Sequence, residues 1–489
     1  MRTKVVYGKK GRGPLSTGFG ADVCILEQGQ VKKQPKAEER PIPSVLTEIC
    51  GNIILENFAA LKIDSPAPKK RHIRSQKLKR RVSFPRISPS PPQSLLKPQF
   101  SQRLASIDGD TTEYVKPLAT FCSDIEDFQG WADERIKLLG MIKIGEGSYG
   151  EVYRATNKEG ESAIFKLLPL RARKGVGSKI YTRIEDAANE VQLLQKMSEV
   201  PGFVEFRGAC LLHGPMPKHF VSEWKAYLTT GRTVESRDPS RKNAYPPTQL
   251  WLAIEMSDAG EDLSQGHYTP PRHSGEPLGE RYLSIQRTWD IFWQIVRALT
   301  LAEIHASFEH RDLHLGNICI KETRSQIDTE DCKFIPRNRP TPFKLDHTGV
   351  QASLIDYTLS RATVAEDRIL FSNIGADKDL MNHPEPMYRD MAKVLSPEGW
   401  GPFSPKTNLV WISRLLKKML EVTKEPSEEA RREEEGKITV TATMLMILEE
   451  VRDMTSVERW EEWMVGSAES LVTMGVERGW FLIKDVLKT

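Results

Sequence analysis

Apolar and polar positions alternate in two different ways along the chain after about residue 124. Three strand-like runs come first, LLGMIKIG, EVYRAT and SAIFKLL. A helical repeat follows, in which Ala187, Val191 and Leu194 recur at i, i+4 and i+7 and Glu190 lies beside that apolar stripe. Helical patterns dominate the later sequence. Strands followed by helices predict an α+β fold in which a sheet precedes a helical part.

The first part of the chain has a different composition. Residues 62–98 are crowded with Pro, Ser, Lys and Arg and hold too few apolar side chains to bury a core. Residues 1–100 carry 20 Lys and Arg against 7 Asp and Glu, a net +13, and the rest carries 50 against 59, a net −9. We therefore predict a disordered basic tail over residues 1–123 and a folded, acidic domain over 124–489, which suits a basic peptide better than DNA.

Membrane spans and disulfides are not expected. No apolar run approaches the ~20 residues that cross a bilayer, and the first residues lack the apolar core of a secretory signal. The six cysteines contain no CxxC pair and no zinc-finger spacing. We expect an intracellular protein with reduced thiols and no membrane partner.

Three stretches interrupt the pattern. Residues 229–247 and 321–350 are polar and contain proline, so we interpret them as surface insertions. The charge-dense run EEARREEEGK begins at Glu428 and is interpreted as a solvated helix face.

A GxGxxG motif formed by Gly145, Gly147 and Gly150 lies between two strand-like runs. Glycines let backbone amides approach phosphates, but the same spacing occurs in dinucleotide folds and in ordinary hairpins. A dinucleotide fold needs the glycines to open a helix, whereas a strand pattern follows here. The motif favours a hairpin over phosphates, with a simple turn as the alternative. The other nucleotide contacts predicted in this loop are Glu146, Ser148 and Val152.

The next strand places Lys166 among apolar neighbours, where an ammonium is costly unless it pairs with an anion. Glu190 is placed to hold that lysine. A purely structural Lys–Glu pair is the alternative to a phosphate-binding lysine.

The segment FEHRDLHLGN contains HRDxxxxN, with Asp312 and Asn317. This spacing lets one carboxylate accept a hydroxyl proton while an amide oxygen five residues on coordinates a metal. Asp356 follows an apolar strand in LIDYTLSR, where most kinases carry the metal-binding DFG aspartate. We predict Lys166, Glu190, Asp312 and Asn317 as catalytic residues, with Asn317 and Asp356 holding Mg²⁺.

Adenine contacts are predicted at Met256 in LAIEMSDAG and just after it, at Ser257 and Ala259. Together the motifs predict phosphoryl transfer from ATP with Mg²⁺ on a two-lobed protein-kinase-like fold. The β-rich N-lobe is expected over about 124–260 and the helical C-lobe over about 261–489.

Over roughly residues 143–420 the chain resembles the haspin family of atypical serine/threonine protein kinases. Within that family it most resembles the fungal members. FEHRDLHLGN, LIDYTLSR and TNLVWISRLL are nearly that family's strings, with His314 in place of the usual lysine and DYT in place of DFG. Leu315 departs from the tryptophan the family often has. The resemblance implies phosphorylation of the third residue, a threonine, of the histone three tail, and activity without a phosphorylated activation loop. Thr358 in place of glycine is expected to restrict the backbone at the metal site.

A tail beginning Ala-Arg-Thr-Lys calls for acidic side chains around the target. By the resemblance, Asp377 and Asp379 in GADKDL contact the arginine, Asp262 contacts the lysine and His314 contributes to substrate binding. Ser264 stands where the family can place a second acid. A solvated surface loop is the alternative for Asp377 and Asp379.

The basic tail carries three further signals. Arg2-Thr3-Lys4 repeats the Arg-Thr-Lys of the histone tail, so Thr3 is a candidate internal substrate or competitor, or an accidental match. Residues 69–81 have the spacing of a two-part nuclear import signal and also suit DNA phosphates or a plain solvated tail. Arg81, Val82, Ser83 and Phe84 resemble the RVxF docking motif of protein phosphatase one. We expect a nuclear protein, associated with chromatin and mitotic chromosomes.

Two other function classes stay open. A catalytically inactive kinase-fold scaffold is opposed by the intact Lys166, Asp312, Asn317 and Asp356. A small-molecule kinase shares the two aspartates and the asparagine but lacks a use for the acidic peptide contacts. A nucleic-acid-binding role rests only on the basic tail and is kept as accessory.

Overall fold

A computed structural model describes residues 23–27, 113–122, 124–146, 150–171, 181–230, 238–241, 244–265, 283–323, 334–336, 342–366, 368–424, 433–434 and 437–486. Gly147 and Ser148 of the glycine-rich motif, Thr3, the cluster 69–81 and the segment from Arg81 to Phe84 lie outside these residues.

Strands and helices follow one another in the predicted order. The strands are β1 (Val23–Glu27), β2 (Ile125–Asp127), β3 (Leu139–Glu146), β4 (Glu151–Asn157), β5 (Ser162–Pro169), β6 (Phe206–His213), β7 (Leu250–Ser257), β8 (Glu261–Asp262), β9 (Ile318–Glu322), β10 (Phe334–Pro336), β11 (Val350–Leu354), β12 (Arg361–Ala365), β13 (Arg368–Ser372), β14 (Glu433–Glu434) and β15 (Lys437–Thr439). The α-helices are α1 (Phe128–Leu138), α2 (Ile184–Met197), α3 (Lys218–Thr229), α4 (Ile285–Ala306), α5 (Lys378–Met381), α6 (Met387–Val394), α7 (Lys406–Glu421), α8 (Val440–Met454), α9 (Trp460–Trp463), α10 (Ala468–Glu477) and α11 (Ile483–Val486).

A six-stranded sheet in the order β2-β6-β7-β5-β4-β3 forms the N-terminal part. All its neighbours are antiparallel except the β2–β6 pair. Alternation explains the strands, since Glu151, Tyr153 and Ala155 of β4 are buried and the residues between them are half-buried. Helix α2 packs beneath the sheet and buries Ala187 and Val191. This arrangement confirms the α+β expectation.

The long helix α4 is the centre of the C-terminal part. Nearly all its side chains are buried, and Ser284 caps its first turn by accepting a hydrogen bond from the backbone N–H of Arg287. It packs against α7, α8, α10 and β11. The described residues also form three small sheets, with the orders β11-β9-β8, β1-β13-β12 and β10-β15-β14. Among the described residues, none of the helices combines the length and the apolar character needed to cross a membrane.

Residues before Asp124 also take part in the fold. Val115, Leu118 and Cys122 are buried in the larger apolar core, and β1 pairs antiparallel with β13. Folded sequence thus includes described residues that lie N-terminal of Asp124.

Two expectations from the interrupted pattern are wrong in part. The stretch 321–350 is not wholly a surface insertion, because Phe343 and Leu345 are buried and the backbone N–H of Phe343 donates to Trp480 O at 2.8 Å. The charged run is not helical at Glu433–Glu434, which form β14 against β15. Helical periodicity and polarity alone revealed neither the distant partner of Phe343 nor the local pairing of β14 with β15.

Candidate functional site

A cavity of about 410 Å³ lies between the six-stranded sheet and the helical part. Most of the predicted nucleotide residues line it. They are Gly145, Glu146, Val152, Lys166, Glu190, Met256, Ser257, Ala259, Asn317 and Asp356. Asp262 lines it too, whereas Asp312, His314, Gly150, Asp377 and Asp379 are outside its lining. We call this space the nucleotide cavity.

Lys166 projects from β5 into the cavity and pairs with Glu190 of α2 at 2.5 Å between Nζ and Oε1. Both side chains are largely buried. Burial by itself lowers the pKa of Lys166, but the carboxylates of Glu190 and Asp356 outweigh it, so that the pKa lies above its usual value. The ammonium therefore stays charged beside two carboxylates.

Gly145 and Glu146 of the glycine motif end β3, where Gly145 lies opposite Val152 and Glu146 opposite Glu151 of β4. A Cβ on Gly150 would come within 2.6 Å of the Leu167 carbonyl oxygen, so β5 leaves no room for a side chain there. Gly145 is not crowded in this way, because a Cβ would find only Val152 at 4.0 Å. The alternative of a dinucleotide turn is excluded by the hairpin, since β4 rather than a helix follows.

Asp312 and Asn317 are joined by the polypeptide turn between them. Asn317 Nδ2 donates to the Asp312 carbonyl oxygen at 2.9 Å, which leaves the amide oxygen of Asn317 as the acceptor end of that side chain. His314 Nδ1 accepts from the Gly316 N–H, and its Nε2 lies 3.8 Å from Asp312 Oδ2. Burial raises the pKa of Asp312, opposed by His314 and by a hydrogen bond from Tyr388.

The DYT segment is fixed from both sides. Asp356 has φ +61, and its Oδ1 accepts from both the N–H and the hydroxyl of Thr358, at 3.1 and 2.6 Å. Burial favours the neutral acid, but Lys166 and Thr358 more than compensate and hold the pKa of Asp356 below its usual value. Tyr357 is buried, packs against Phe203 and donates to the Leu354 carbonyl at 2.8 Å. The hydroxyl of Thr358 thus gives Asp356 a hydrogen bond that a glycine in its place could not make.

The segment after β7 is pinned by residues that sequence reasoning missed. The Asp258 carboxylate accepts hydrogen bonds from Ser162 Oγ at 2.7 Å and Gly260 N–H at 2.9 Å, and pairs with Arg154 Nε at 2.9 Å. Gly260 has φ +92, and a Cβ there would lie 2.0 Å from the Ile320 carbonyl oxygen. A glycine next to a run of acids was the available signal, but only the fold shows how close β9 approaches.

Lys143 of β3 is a second buried lysine in the cavity lining. Its Nζ lies 3.3 Å from Glu146 Oε1 and 3.3 Å from Glu151 Oε2, and about 5 to 6 Å from the ring centres of Tyr153 and Tyr227. The ion cluster ties the two strands of the glycine hairpin together. A lone lysine in an alternating strand gave no sequence signal for this role.

Buried Arg311 has an internal carboxylate partner. Its Nε donates to Glu309 Oε2 at 3.0 Å, and its guanidinium also donates to the Trp400 carbonyl at 2.8 Å. Glu309 accepts from the Ser404 N–H and the Thr407 hydroxyl as well. The charge that precedes Asp312 is thus compensated within the described chain without an added phosphate.

Two of the three acids predicted to receive a basic peptide accept hydrogen bonds from residues close to them in sequence. Asp377 caps α5, its Oδ1 accepting from the N–H groups of Asp379 and Leu380. It is also near enough to Tyr388 to raise that residue's pKa. Asp379 is exposed, and Asp262 in the cavity lining accepts hydrogen bonds from the backbone N–H and the hydroxyl of Ser264. We call Asp262, Asp377 and Asp379 the peptide acids.

A nucleoside triphosphate with Mg²⁺ suits this donor set. The cavity has the size of a small-molecule site. Lys166 supplies a buried positive charge, and Asn317 and Asp356 present the amide and carboxylate oxygens that Mg²⁺ prefers. Both hydrogen bonds that Thr358 makes use Asp356 Oδ1, so that the other carboxylate oxygen is not engaged by that residue.

Comparison with known proteins agrees with the geometry. The family profile described as "Haspin like kinase domain" matches residues 56–472. The serine/threonine-protein kinase haspin homolog of Drosophila melanogaster is 29% identical over 315 residues, 60% of this chain and 50% of that protein. The fission yeast haspin homolog is 29% identical over 294 residues, 57% of this chain and 54% of its own length. Mouse haspin is 25% identical over 295 residues, 58% and 36% respectively. The chain thus spans about half or less of these relatives.

Proposed function

Because the chain belongs to the haspin-like kinase domain family, we propose that it transfers the γ-phosphoryl group of ATP to serine or threonine hydroxyls of protein substrates. Membership confirms the predicted family and the kinase-like fold. The observation that carries the activity is the convergence of Lys166, Glu190, Asn317 and Asp356 on one cavity, two side chains from the sheet side and two from the helical part.

Each residue has a distinct task in the proposed reaction. Lys166, steadied by Glu190, binds the phosphates, and the β3–β4 hairpin covers them. Asn317 and Asp356 hold Mg²⁺, which would supply charge neutralisation for the phosphates when bound. Met256, Ser257 and Ala259 contact the adenine.

Asp312 is the proton acceptor in this proposal. Burial raises the pKa of its carboxyl from the usual value, toward the range in which a general base works best. Its carboxylate orients the acceptor hydroxyl and takes its proton as the bond from the acceptor oxygen to the γ-phosphorus forms and the bond from that phosphorus to the β,γ-bridging oxygen breaks, with ADP as the leaving group. His314, at 3.8 Å from Asp312 Oδ2 and nearly half exposed, contacts the substrate at the open side.

The substrate we propose is the histone three N-terminal tail, phosphorylated at its third residue. Support comes from the family and from charge. Asp377 and Asp379 place two carboxylates on one turn near Tyr388, whose hydroxyl donates a hydrogen bond to Asp312. Asp262 is part of the cavity lining. Such acids suit the arginine and lysine that flank the target threonine. In our proposal the lysine binds at Asp262, whose carboxylate also accepts a hydrogen bond from the Ser264 hydroxyl.

Location and partners are further proposals carried by the sequence. We propose a nuclear protein that associates with mitotic chromatin, imported through residues 69–81. Protein phosphatase one is the proposed partner of Arg81, Val82, Ser83 and Phe84. A phosphate on Ser83 would oppose that docking.

One experiment tests the activity and the substrate together. The purified full chain is incubated with ATP, Mg²⁺ and a histone three tail peptide, and phosphate is located by mass spectrometry, with Asp312→Asn as the matched control. We expect phosphate on the third residue only with the unsubstituted chain. ATP binding without transfer to this peptide or a serine/threonine peptide library would favour the scaffold alternative, and transfer to small alcohols would favour a small-molecule kinase.

A further inference from the structure

The carboxylate of Asp312 has two oxygens in different surroundings. Oδ1 accepts a hydrogen bond from the Tyr388 hydroxyl at 2.7 Å. Oδ2 lies 3.8 Å from His314 Nε2, and the Asp312 side chain is 21% exposed. The backbone oxygen of the same residue is used by Asn317 Nδ2. One carboxylate oxygen is therefore held from inside the protein and the other lies beside the half-exposed histidine.

Tyr388 is rigidly placed for this contact. It lies on α6, is 6% exposed, and its ring packs edge-on against Trp411 of α7 and against His383, with ring centres 5.7 Å apart in both cases. Trp411 is buried and donates to the Met391 sulfur. A phenol held in this way has few rotamers available, so its hydroxyl fixes the rotation of the carboxylate it touches.

The direction of the hydrogen bond is also fixed. Burial and the neighbouring Asp312 both raise the pKa of Tyr388, so its hydroxyl keeps the proton and donates. A donor to a carboxylate makes a stronger bond than a neutral pair. Tyr388 is absent from the lining of the nucleotide cavity, so it acts on Asp312 without touching the nucleotide.

We propose that Tyr388 is a positioning residue for phosphoryl transfer, whose hydroxyl occupies Asp312 Oδ1 and directs Oδ2 to the acceptor hydroxyl. The inference rests on the proposed function, because it assigns Asp312 the role of proton acceptor. The task falls to a helix that follows the peptide acids Asp377 and Asp379, which links the base to the element that meets the substrate.

The test compares Tyr388→Phe with the unsubstituted full chain in single-turnover transfer to the best peptide acceptor. Removing one oxygen keeps the ring packing. We expect the transfer rate to fall about 10- to 100-fold, since a charge-assisted bond at the reacting group is lost, while the ATP dissociation constant and the peptide KM change by less than about twofold. A purely structural role would not separate kcat from KM in this way.

Two further variants keep the test decisive. Tyr114→Phe is the matched control. It removes a tyrosine hydroxyl that donates to the Arg171 carbonyl, and because neither residue lines the nucleotide cavity it should leave the transfer rate unchanged. Tyr388→Met keeps an apolar side chain without the ring. If Tyr388→Phe transfers at the normal rate while Tyr388→Met is slow, the residue acts through packing and the inference is overturned. An inactive Asp312→Asn beside a fully active Tyr388→Phe would overturn it too and leave the proposed function standing.

Discussion

The nucleotide cavity and the peptide acids hold charge in opposite ways. In the cavity, Lys166 is buried and attracts the partly buried carboxylates of Glu190 and Asp356. The pKa of Lys166 is raised and that of Asp356 is lowered, because this attraction outweighs the effect of burial. The carboxylates of Asp377 and Asp379 lie on a partly or fully exposed turn held by its own helix cap. Because buried pairs keep their geometry without ligand and exposed charges are screened by water, substitutions should separate catalysis from peptide affinity.

The largest effect is expected in the cavity. Lys166→Met leaves Glu190 and Asp356 as buried carboxylates without their counter-charge, and breaking a buried pair costs about 3–5 kcal/mol. Transfer should fall by roughly 10²–10³-fold, with weaker ATP binding, in a steady-state assay. Lys196→Met, which removes an ion pair with the exposed Glu199, is the control. Equal losses in the two variants would erase the distinction between buried and exposed charge.

The backbone at Gly260, in the segment that joins β7 to β8, should be sensitive to substitution. Gly260→Ala combines a positive φ with a Cβ 2.0 Å from the Ile320 carbonyl, for which we expect a loss of roughly 2–5 kcal/mol in the free energy of unfolding. Gly160, with φ +84 and no atom within 4 Å of its Cβ position, is matched in dihedral but not in crowding. Gly160→Ala should cost about 1–2 kcal/mol. Denaturant unfolding measures both, and equal losses would show that the close approach of β9 is unimportant.

The buried carboxyl of Glu303 in α4 should make the stability of the fold depend on pH. Burial raises the pKa of Glu303 to about 8, and Asn408 connects this carboxyl to the Phe308 carbonyl and the His310 N–H. Above its unfolded pKa the folded chain holds a proton that the unfolded chain has released, so stability should decline as pH rises toward 8, by at most about 1.4 kcal/mol per pH unit from this group.

Glu303→Gln should remove that slope. Unfolding is measured between pH 7.5 and 8, where His310 is neutral in the fold because burial lowers its pKa to about 4, and is also largely neutral in the unfolded chain, where histidine titrates at about 6.5. An unchanged slope in Glu303→Gln would mean that Glu303 is already ionised in the fold. The matched control is Glu199→Gln, an exposed carboxylate near His305, which should leave the slope in place.

Local sequence was enough to anticipate the nucleotide side. The stripe of Ala187, Val191 and Leu194 set the face of α2 and with it the direction of Glu190 toward Lys166. The HRDxxxxN motif predicted that Asn317 and Asp312 lie close together, since both residues belong to one short segment, and Asn317 Nδ2 indeed donates to the Asp312 carbonyl.

Contacts between distant segments could not be anticipated in this way. Tyr388 contacts Asp312, which lies 76 positions earlier in the sequence. Gly260 lies against Ile320 of β9, which belongs to a separate segment of the chain. Lys143 lies in a strand of alternating pattern, which did not show whether its side chain would face solvent or, as it does, Glu146 and Glu151. Periodicity specifies a face, whereas partners are chosen by tertiary packing.

The separation of the two regions is tested most directly by the double variant Asp377→Asn/Asp379→Asn. Its kinetics are measured with the histone three tail peptide and with the same peptide carrying alanine in place of the arginine before the target threonine. We predict that the KM for the normal peptide rises about tenfold, that ATP affinity is unchanged, and that the alanine peptide brings no further loss. A parallel loss of ATP affinity, or an alanine penalty as large as in the unsubstituted chain, would contradict this account.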